Sequence, residues 1–459
     1  MRHEPEGGRP LRLRLADQAG DVPARARGRR QAQGRSMSTI TIGSATLHLG
    51  DCRDVLKTVA DASIDAIVTD PPYELGFMGR DWDRSGVAND VAVWAECLRV
   101  LKPGGHLLAF SGARTYHRMA CAIEDAGFEL RDQIMWIYGS GFPKSKNLDG
   151  DWNGWGTALK PAHEPICVAR KPLVGTVEAN VLAHGTGALN IDACRIETAD
   201  NLNGGAYAKE GGRAVSQSLH GDSGMNQPGK TTGREFVQPL GRWPANVIHD
   251  GSDEVLTAFP DAPGQIADAN TDQNRIKNRH AYGQMRAGEA SADRRYTDVG
   301  STNFAAKPGA RRFDTGSAAR FFYCAKASRA DRNDGVGGSA APAVKTNATM
   351  REREIADWPA RNGNHHPTVK PTDLMAYLCR LVTPPGGTVL DPFMGSGSTG
   401  KACAREGFAF VGIDVTPEFV DIARARINHE LGRVATEAAA RAAQAAERDR
   451  QPDLFQETA

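Results

Sequence analysis

Short apolar runs alternate with amphipathic stretches in two separated parts of the chain. Ala45–Leu49 and Ile64–Thr69 are apolar runs of strand length that end in polar residues, the pattern of buried strands. Val91, Trp94, Leu98 and Leu101 recur at helical spacing, and Lys102-Pro103-Gly104-Gly105 then breaks the helix. Residues 106–110 predict a strand, 115–126 a helix, 130–138 a strand and 164–169 one more. The rhythm returns late in the chain. Residues 372–381 predict a helix, Thr388–Asp391 a strand, Ser398 the opening of a helix and 408–413 a strand. The next helix takes Thr416 as N-cap and Pro417 as first residue, with Val420, Ala423 and Ile427 along one face. Such alternation predicts an α/β fold: a doubly wound, mainly parallel sheet covered on both faces.

Between these parts, residues 172–345 are dominated by Gly, Asn, Ser, Asp and charged residues, with apolar islands at Val247-Ile248 and 320–324. So long an irregular span is unusual inside one compact fold, which predicts a separate variable module. The organisation expected is 1–36, an Arg-, Gly- and Pro-rich disordered extension; 37–171, one half of the main domain; 172–345, the variable region; 346–432, the other half; and 433–459, an Ala-rich, charged tail read as a solvated helix. The extension reads as a start codon placed too early, with Met37 the true start, or as a basic arm that touches DNA.

Composition narrows the partners. Lys and Arg number 56 against 55 Asp and Glu, a net charge of +1, so a nucleic-acid partner would need a local basic surface. No apolar run approaches the roughly 20 residues that span a bilayer, and no hydrophobic segment follows the N-terminal arginines. The 8 cysteines form no C-x-x-C pair and no zinc-type cluster. A cytoplasmic protein with no metal and no membrane association is expected.

Two motifs carry chemistry. Asp70-Pro71-Pro72-Tyr73 directly follows an apolar strand, and in open α/β sheets ligands sit beyond the carboxyl ends of strands. The exocyclic amine of a base is a poor nucleophile because its lone pair is delocalised into the ring. A carboxylate (Asp70) accepting one N–H and the Pro71 carbonyl accepting the other would free that lone pair. The prolines stiffen the turn, and Tyr73 offers a face for an extruded base. The second motif, Asp391-Pro392-Phe393-Met394-Gly395-Ser396-Gly397, also follows a strand and opens a helix. Its glycines admit close approach of a ligand, and Asp414 ends the next strand at the spacing of a ribose-binding acid. The bare G-x-G-x-x-G pattern at 395–400 would also suit NAD, but the Asp-Pro-Phe insert separates strand from glycines.

Together these motifs resemble the amino-DNA methyltransferases, which act on adenine N6 or cytosine N4. The order of catalytic motif, variable region and cofactor motif is similar to the family's β group, a circular permutation. The segment His366-Pro367-Thr368-Val369-Lys370-Pro371 matches the family element that lines the methionine end of the cofactor, and Gly50-Asp51 the acidic position near its adenine. The resemblance covers roughly 44–170 and 364–431. It implies S-adenosyl-L-methionine as cofactor, bound by Asp51, Thr368, Lys370, Asp391, Phe393, Gly395, Gly397 and Asp414. It implies catalysis by Asp70, Pro71, Pro72 and Tyr73 on a base flipped out of double-stranded DNA, as in restriction–modification. Adenine N6 is the expected target, because an acid opens the tetrad, and cytosine N4 is the alternative. No Pro-Cys pair occurs, which argues against methylation of cytosine carbon 5.

Weaker signals remain. Arg311, Arg312, Arg320 and Lys326, interleaved with aromatics, are expected to contact DNA phosphates, or else form a solvated strand edge. Trp136 and Tyr138 end a strand on the side of the proposed site and are read as packing or as a cage for the base. Gln451, Leu454 and Phe455 resemble a replication sliding-clamp peptide. Residues 224–231 match the P-loop letters without a preceding strand, and His163-Glu164 and His365-His366 lack partners for a metal; all three are set aside. A homodimer is left open. A catalytically idle DNA-binding or clamp-tethered module, an enzyme acting on RNA or protein, and an NAD enzyme are the rival classes.

Overall fold

The computed structural model describes residues 37–76, 81–141, 145–198, 239–261, 316–325, 329–337 and 363–450. Strands β1 (Ser38–Ile42) and β2 (Ala45–Leu49) form an antiparallel hairpin, followed by β3 (Ile64–Thr69) and β4 (Leu101–Phe110). β5 (Glu129–Ile137) and β6 (His163–Arg170) come next, and β7 (Ile196–Glu197) pairs with β8 (Gly241–Arg242) as a separate ribbon. β9 (Val247–His249), β10 (Tyr323–Cys324), β11 (Thr388–Asp391) and β12 (Ala409–Asp414) complete the set. Among the described residues the main sheet has ten strands in the order β1-β2-β12-β11-β3-β4-β6-β5-β9-β10. Neighbours from β2 to β4 are parallel, whereas β6 runs antiparallel to both β4 and β5.

The N-terminal strands therefore lie beside the C-terminal ones, the arrangement that the permuted motif order implies. β3 and β11 are direct neighbours, with Leu390 opposite Ile67. Side chains alternate across the sheet as strand geometry requires. Leu107 and Ala109 pack with Trp94, Cys97 and Ile123 on one face, while Leu108 and Phe110 pack with Leu374 and Leu378 on the other. Both faces are covered, as expected of a doubly wound sheet.

Two expectations change. The helix over Val91–Val100 ends before the Lys-Pro-Gly-Gly sequence, and those four residues belong to β4 instead of a loop. Gly104 at φ +76° and a register shift between Ile64 and Ala66 accommodate the irregularity within the strand. Two described strands of 172–345 also join the main sheet, while β7 and β8 keep to their own ribbon. The islands become β9 and β10 at its edge, and Tyr323 stacks on Tyr377 with ring centroids 4.0 Å apart. Earlier in that span, buried Asn180 donates to the Pro103 and Thr186 carbonyls, both at 2.8 Å, pinning the helix Val177–His184 to the start of β4.

The last helix runs unbroken from Pro417 to Arg450, so the expected tail helix continues the one that packs on the sheet. All eight cysteines are free, and no described helix is long and apolar enough to cross a membrane. Trp94 is wholly buried, with its indole N–H donated to the Ala88 carbonyl at 2.9 Å. Trp94→Ala should lower the unfolding free energy by about 3–5 kcal/mol, read as a fall in the denaturant midpoint.

Candidate active site

Two loops leave the carboxyl ends of adjacent strands. The Asp70 loop follows β3 and the 391–397 loop follows β11, and one side-chain contact already joins them: Thr69 donates its hydroxyl to Asp391 Oδ1 at 2.6 Å. Asp391 is 2% exposed and takes further hydrogen bonds from Thr399 Oγ1 at 2.5 Å and the Phe393 amide at 3.1 Å. Its carboxylate is thus engaged in shaping the loop. Burial raises its pKa to about 6, against the pull of the two threonine hydroxyls. Phe393 likewise packs inward, edge-on to Trp94 at 6.2 Å.

Gly395 and Gly397 adopt positive φ, +51° and +77°, conformations that L side chains rarely take. A Cβ on Gly395 would come within 2.7 Å of His366 Nε2, and one on Gly397 within 2.7 Å of the Ala423 Cβ. The loop is held to β12 by Asp414, which accepts the Gly395 amide at 2.9 Å and the Thr416 amide at 2.7 Å. Burial raises the Asp414 pKa to about 6 as well. The Gly50 amide donates to the Asp414 carbonyl at 2.9 Å, which brings Asp51 to the same end of the sheet. Asp51 caps the helix Cys52–Val55 through the Arg53 amide at 2.9 Å. Asp51 and Asp414 remain partly accessible, and each ionised carboxylate has lone pairs beyond those already used. A glycine cradle too close for a Cβ, flanked by two such acids, fits an adenosyl group with its ribose hydroxyls. Phosphate is not called for by that donor set.

The Asp70 loop is organised by charge. Lys370 Nζ donates to Asp70 Oδ2 at 2.5 Å and lies 3.5 Å from Glu164, over the rings of Phe110 at 5.1 Å and Tyr73 at 5.4 Å. Its side chain is only 6% exposed. Lys370, expected at the methionine end of the cofactor, is therefore a partner of the Asp-Pro-Pro-Tyr motif. Tyr73 donates its hydroxyl to Glu164 at 2.9 Å and accepts from Thr115 Oγ1 at its carbonyl at 2.7 Å, which fixes both ring and backbone. The next residue, Glu74, sits at φ +55°, a strained conformation for a non-glycine residue.

The other oxygen of Asp70, Oδ1, is buried and has no hydrogen-bond partner. A buried carboxylate oxygen is costly to leave unpaired, so Oδ1 is suited to accept a further donor, with the Tyr73 hydroxyl already acting on the same carboxylate. Burial raises the Asp70 pKa, with Lys370 opposing and Glu164 reinforcing that shift. Burial works against charge on Lys370, but Asp70 and Glu164 outweigh it and raise its pKa, so the ammonium persists. Burial, then Asp70 and Glu164, push the Tyr73 phenol well above its ordinary value, so it stays protonated.

Of the remaining candidates, Pro71 is buried and Pro72 half-buried within the motif, while Thr368 is exposed. Arg320 donates to the Ser317 carbonyl at 2.8 Å and lies 4.3 Å over the Phe321 ring. Trp136 and Tyr138 pack together at 5.0 Å. Arg311, Arg312, Lys326, the P-loop-like stretch 224–231, the N-terminal extension and the clamp-like Gln451, Leu454 and Phe455 lie outside the described residues. No cluster of metal-type ligands exists among the described residues.

Glu164 is the residue that the sequence reading passed over. The absence of a helical pattern between β5 and β6 was the available signal. It implies an antiparallel return, which puts the first residues of β6 at the end of the sheet where the parallel strands finish.

A family model described as DNA methylase, of the N6/N4 methyltransferase type, matches residues 64–425. The type II methyltransferase M2.DpnII of Streptococcus pneumoniae is 38% identical over 78 residues, 17% of this chain and 28% of its own length. The type II methyltransferase M.Cfr9I of Citrobacter freundii is 46% identical over 68 residues, 15% of this chain and 22% of its own. These matches thus span less than a third of either relative. Among solved structures, PvuII DNA methyltransferase (cytosine-N4-specific) aligns over 86% of this chain and 93% of its own, at 13% identity and TM-score 0.38. M1.HpyAVI in complex with SAM aligns over 84% and 100%, at 16% identity and TM-score 0.34.

Gly395→Ala should displace His366 or the loop, raising the Kd for S-adenosylmethionine about tenfold or more, about 1.4 kcal/mol. Titration calorimetry of the folded variant reads this; an unchanged Kd would remove Gly395 from the cradle.

Proposed function

We infer the reaction from one premise: the chain belongs to the DNA methylase family of N6/N4 methyltransferases. The proposed activity is site-specific transfer of a methyl group from S-adenosyl-L-methionine to the exocyclic amine of a base flipped out of double-stranded DNA. The observation that carries it is the unpartnered, buried Oδ1 of Asp70, placed one strand away from the glycine cradle. An amine N–H is the donor that this oxygen lacks.

In this reading Asp51 and Asp414 hold the adenosyl group and Gly395 and Gly397 let it approach. Asp391 shapes the loop from beneath. Bound S-adenosylmethionine supplies an electrophilic methyl carbon on a sulfonium, so no covalent enzyme intermediate is needed. Asp70 Oδ1 and the Pro71 carbonyl accept the two N–H groups, which turns the nitrogen lone pair out of the ring plane. The nitrogen sheds one proton as it gains the methyl group, and the Asp70 carboxylate is the nearest base. Tyr73, its ring fixed by Glu164, stacks on the extruded base, which offsets about 1–3 kcal/mol of the cost of unpairing. Residues 172–345 supply sequence recognition, with Arg311, Arg312, Arg320 and Lys326 on phosphates. Gln451, Leu454 and Phe455 tether the enzyme to the sliding clamp.

Adenine N6 is the target we favour, because the motif opens with an acid instead of the serine commoner in cytosine-N4 enzymes. Transfer of labelled methyl groups into DNA followed by nucleoside analysis decides it. Label should appear as N6-methyladenine; N4-methylcytosine would overturn the base assignment, and no label in DNA would overturn the activity. Asp70→Ala should cut the rate by about 10²- to 10⁴-fold with S-adenosylmethionine affinity within a few-fold of wild type. Full activity in that variant would exclude the mechanism.

A further inference from the structure

We propose that Glu164 is a positioning residue of this site: acting through Lys370 and Tyr73, it sets how strongly Asp70 can hold the target amine. The inference rests on the methyl-transfer reading and adds to it a residue outside both motifs.

Glu164 stands at the start of β6, the antiparallel strand, and its neighbour across the sheet is Trp136 of β5. That polarity brings its carboxylate to the end where β3 and β11 release their loops. It accepts the Tyr73 hydroxyl at 2.9 Å and lies 3.5 Å from Lys370 Nζ, which in turn donates to Asp70 Oδ2 at 2.5 Å. Two carboxylates thus share one ammonium in a site where all three side chains are at least four-fifths buried. Ionised together, the three groups carry one net negative charge.

The sharing has a chemical consequence. Were Asp70 the only partner of Lys370, a full charge-assisted bond at Oδ2 would draw electron density from the carboxylate and weaken Oδ1 as an acceptor. Glu164 divides the ammonium's attraction and adds its own negative field, so Asp70 keeps more of its basicity. The same carboxylate aligns the phenol of Tyr73, so one residue tunes the acceptor and orients the stacking face. The charged and titratable groups facing Asp70 are Lys370, with His366 on the same segment, Glu164 on β6, Tyr73 on its own loop, and Asp391 beyond Thr69. Burial keeps His366 neutral, with its pKa lowered to about 3. In direction, burial raises the Asp70 pKa, Lys370 lowers it, Glu164 raises it and the Tyr73 hydroxyl lowers it, while Asp70 in turn raises the pKa of Asp391.

Opposite pH shifts in two variants test this. Protonated Asp70 cannot accept the amine, so the rate of methyl transfer falls on the acid side of its pH profile. In Glu164→Gln, which keeps an oxygen for the Tyr73 hydroxyl, that acid limb should move to lower pH by about one unit, with a lower plateau rate. In Lys370→Met it should move to higher pH by about one unit or more. A merely structural role would reduce the rates without moving the limbs. A carbon-13 titration of the Asp70 carboxyl in the full chain, assigned with Asp70→Asn, reads the same shifts with no DNA and no turnover. An inactive wild type would therefore count against the methyl-transfer reading while the titration still decides this inference. Opposite displacements support the proposal; unmoved titrations, or displacements in the same direction, overturn it.

Discussion

A buried ammonium placed between two carboxylates is the contact on which the arrangement of this site depends. Lys370 reaches Asp70 and Glu164 from a segment that, a few residues earlier, presses His366 against Gly395. Residues 366–370 therefore touch both loops: His366 sets the clearance over the glycine cradle, and Lys370 neutralises and aims the Asp-Pro-Pro-Tyr carboxylate. Removing one member of a buried ion pair leaves an uncompensated charge and costs about 3–5 kcal/mol. The geometry of each loop is in this way conditional on the other.

A second buried charge network backs the segment from behind. Asp331, on the short helix Arg329–Asn333, accepts the Thr372 amide at 2.9 Å and hydroxyl at 2.6 Å, and its carboxylate meets Lys401 at 2.7 Å. Arg426 donates to the Ser396 carbonyl at 2.7 Å within the cofactor-type loop and to the Asp331 carbonyl at 3.1 Å. Arg332 holds the His366 carbonyl at 2.6 Å. Lys401 and Arg426 are fully buried, so both charges are matched by neighbouring oxygens instead of water. The helix Arg329–Asn333, from within the variable span, is thereby built into the floor of the site.

The strands of the parallel core could be read from sequence because they are buried on both faces and appear as unbroken apolar runs. Ile64–Thr69 and Thr388–Asp391 match their expected limits for that reason. The two loops were visible through their Asp-Pro and glycine residues, whose backbone demands are local. What sequence could not supply was the pairing of the short edge strands and the direction of β6. β9 and β10 are three and two residues long; β9 owes its place to β5, over a hundred residues earlier, and β10 to β9. Glu164 looked like an ordinary polar residue before a strand because its meaning comes from the antiparallel direction of β6. Lys370 was recognised within its motif, but its bond to Asp70 was not foreseen, since a lysine's reach to that carboxylate depends on the fold across 300 positions of chain.

The most direct test of the central claim is a crystal structure of the full chain with S-adenosylmethionine and a DNA duplex carrying its target. The account predicts the cofactor's ribose on Asp414, its methyl carbon turned towards an amine held by Asp70 Oδ1, and Lys370 still bridging Asp70 and Glu164. A cofactor seated away from the 395–397 cradle, or a base amine that does not meet Asp70, would contradict it.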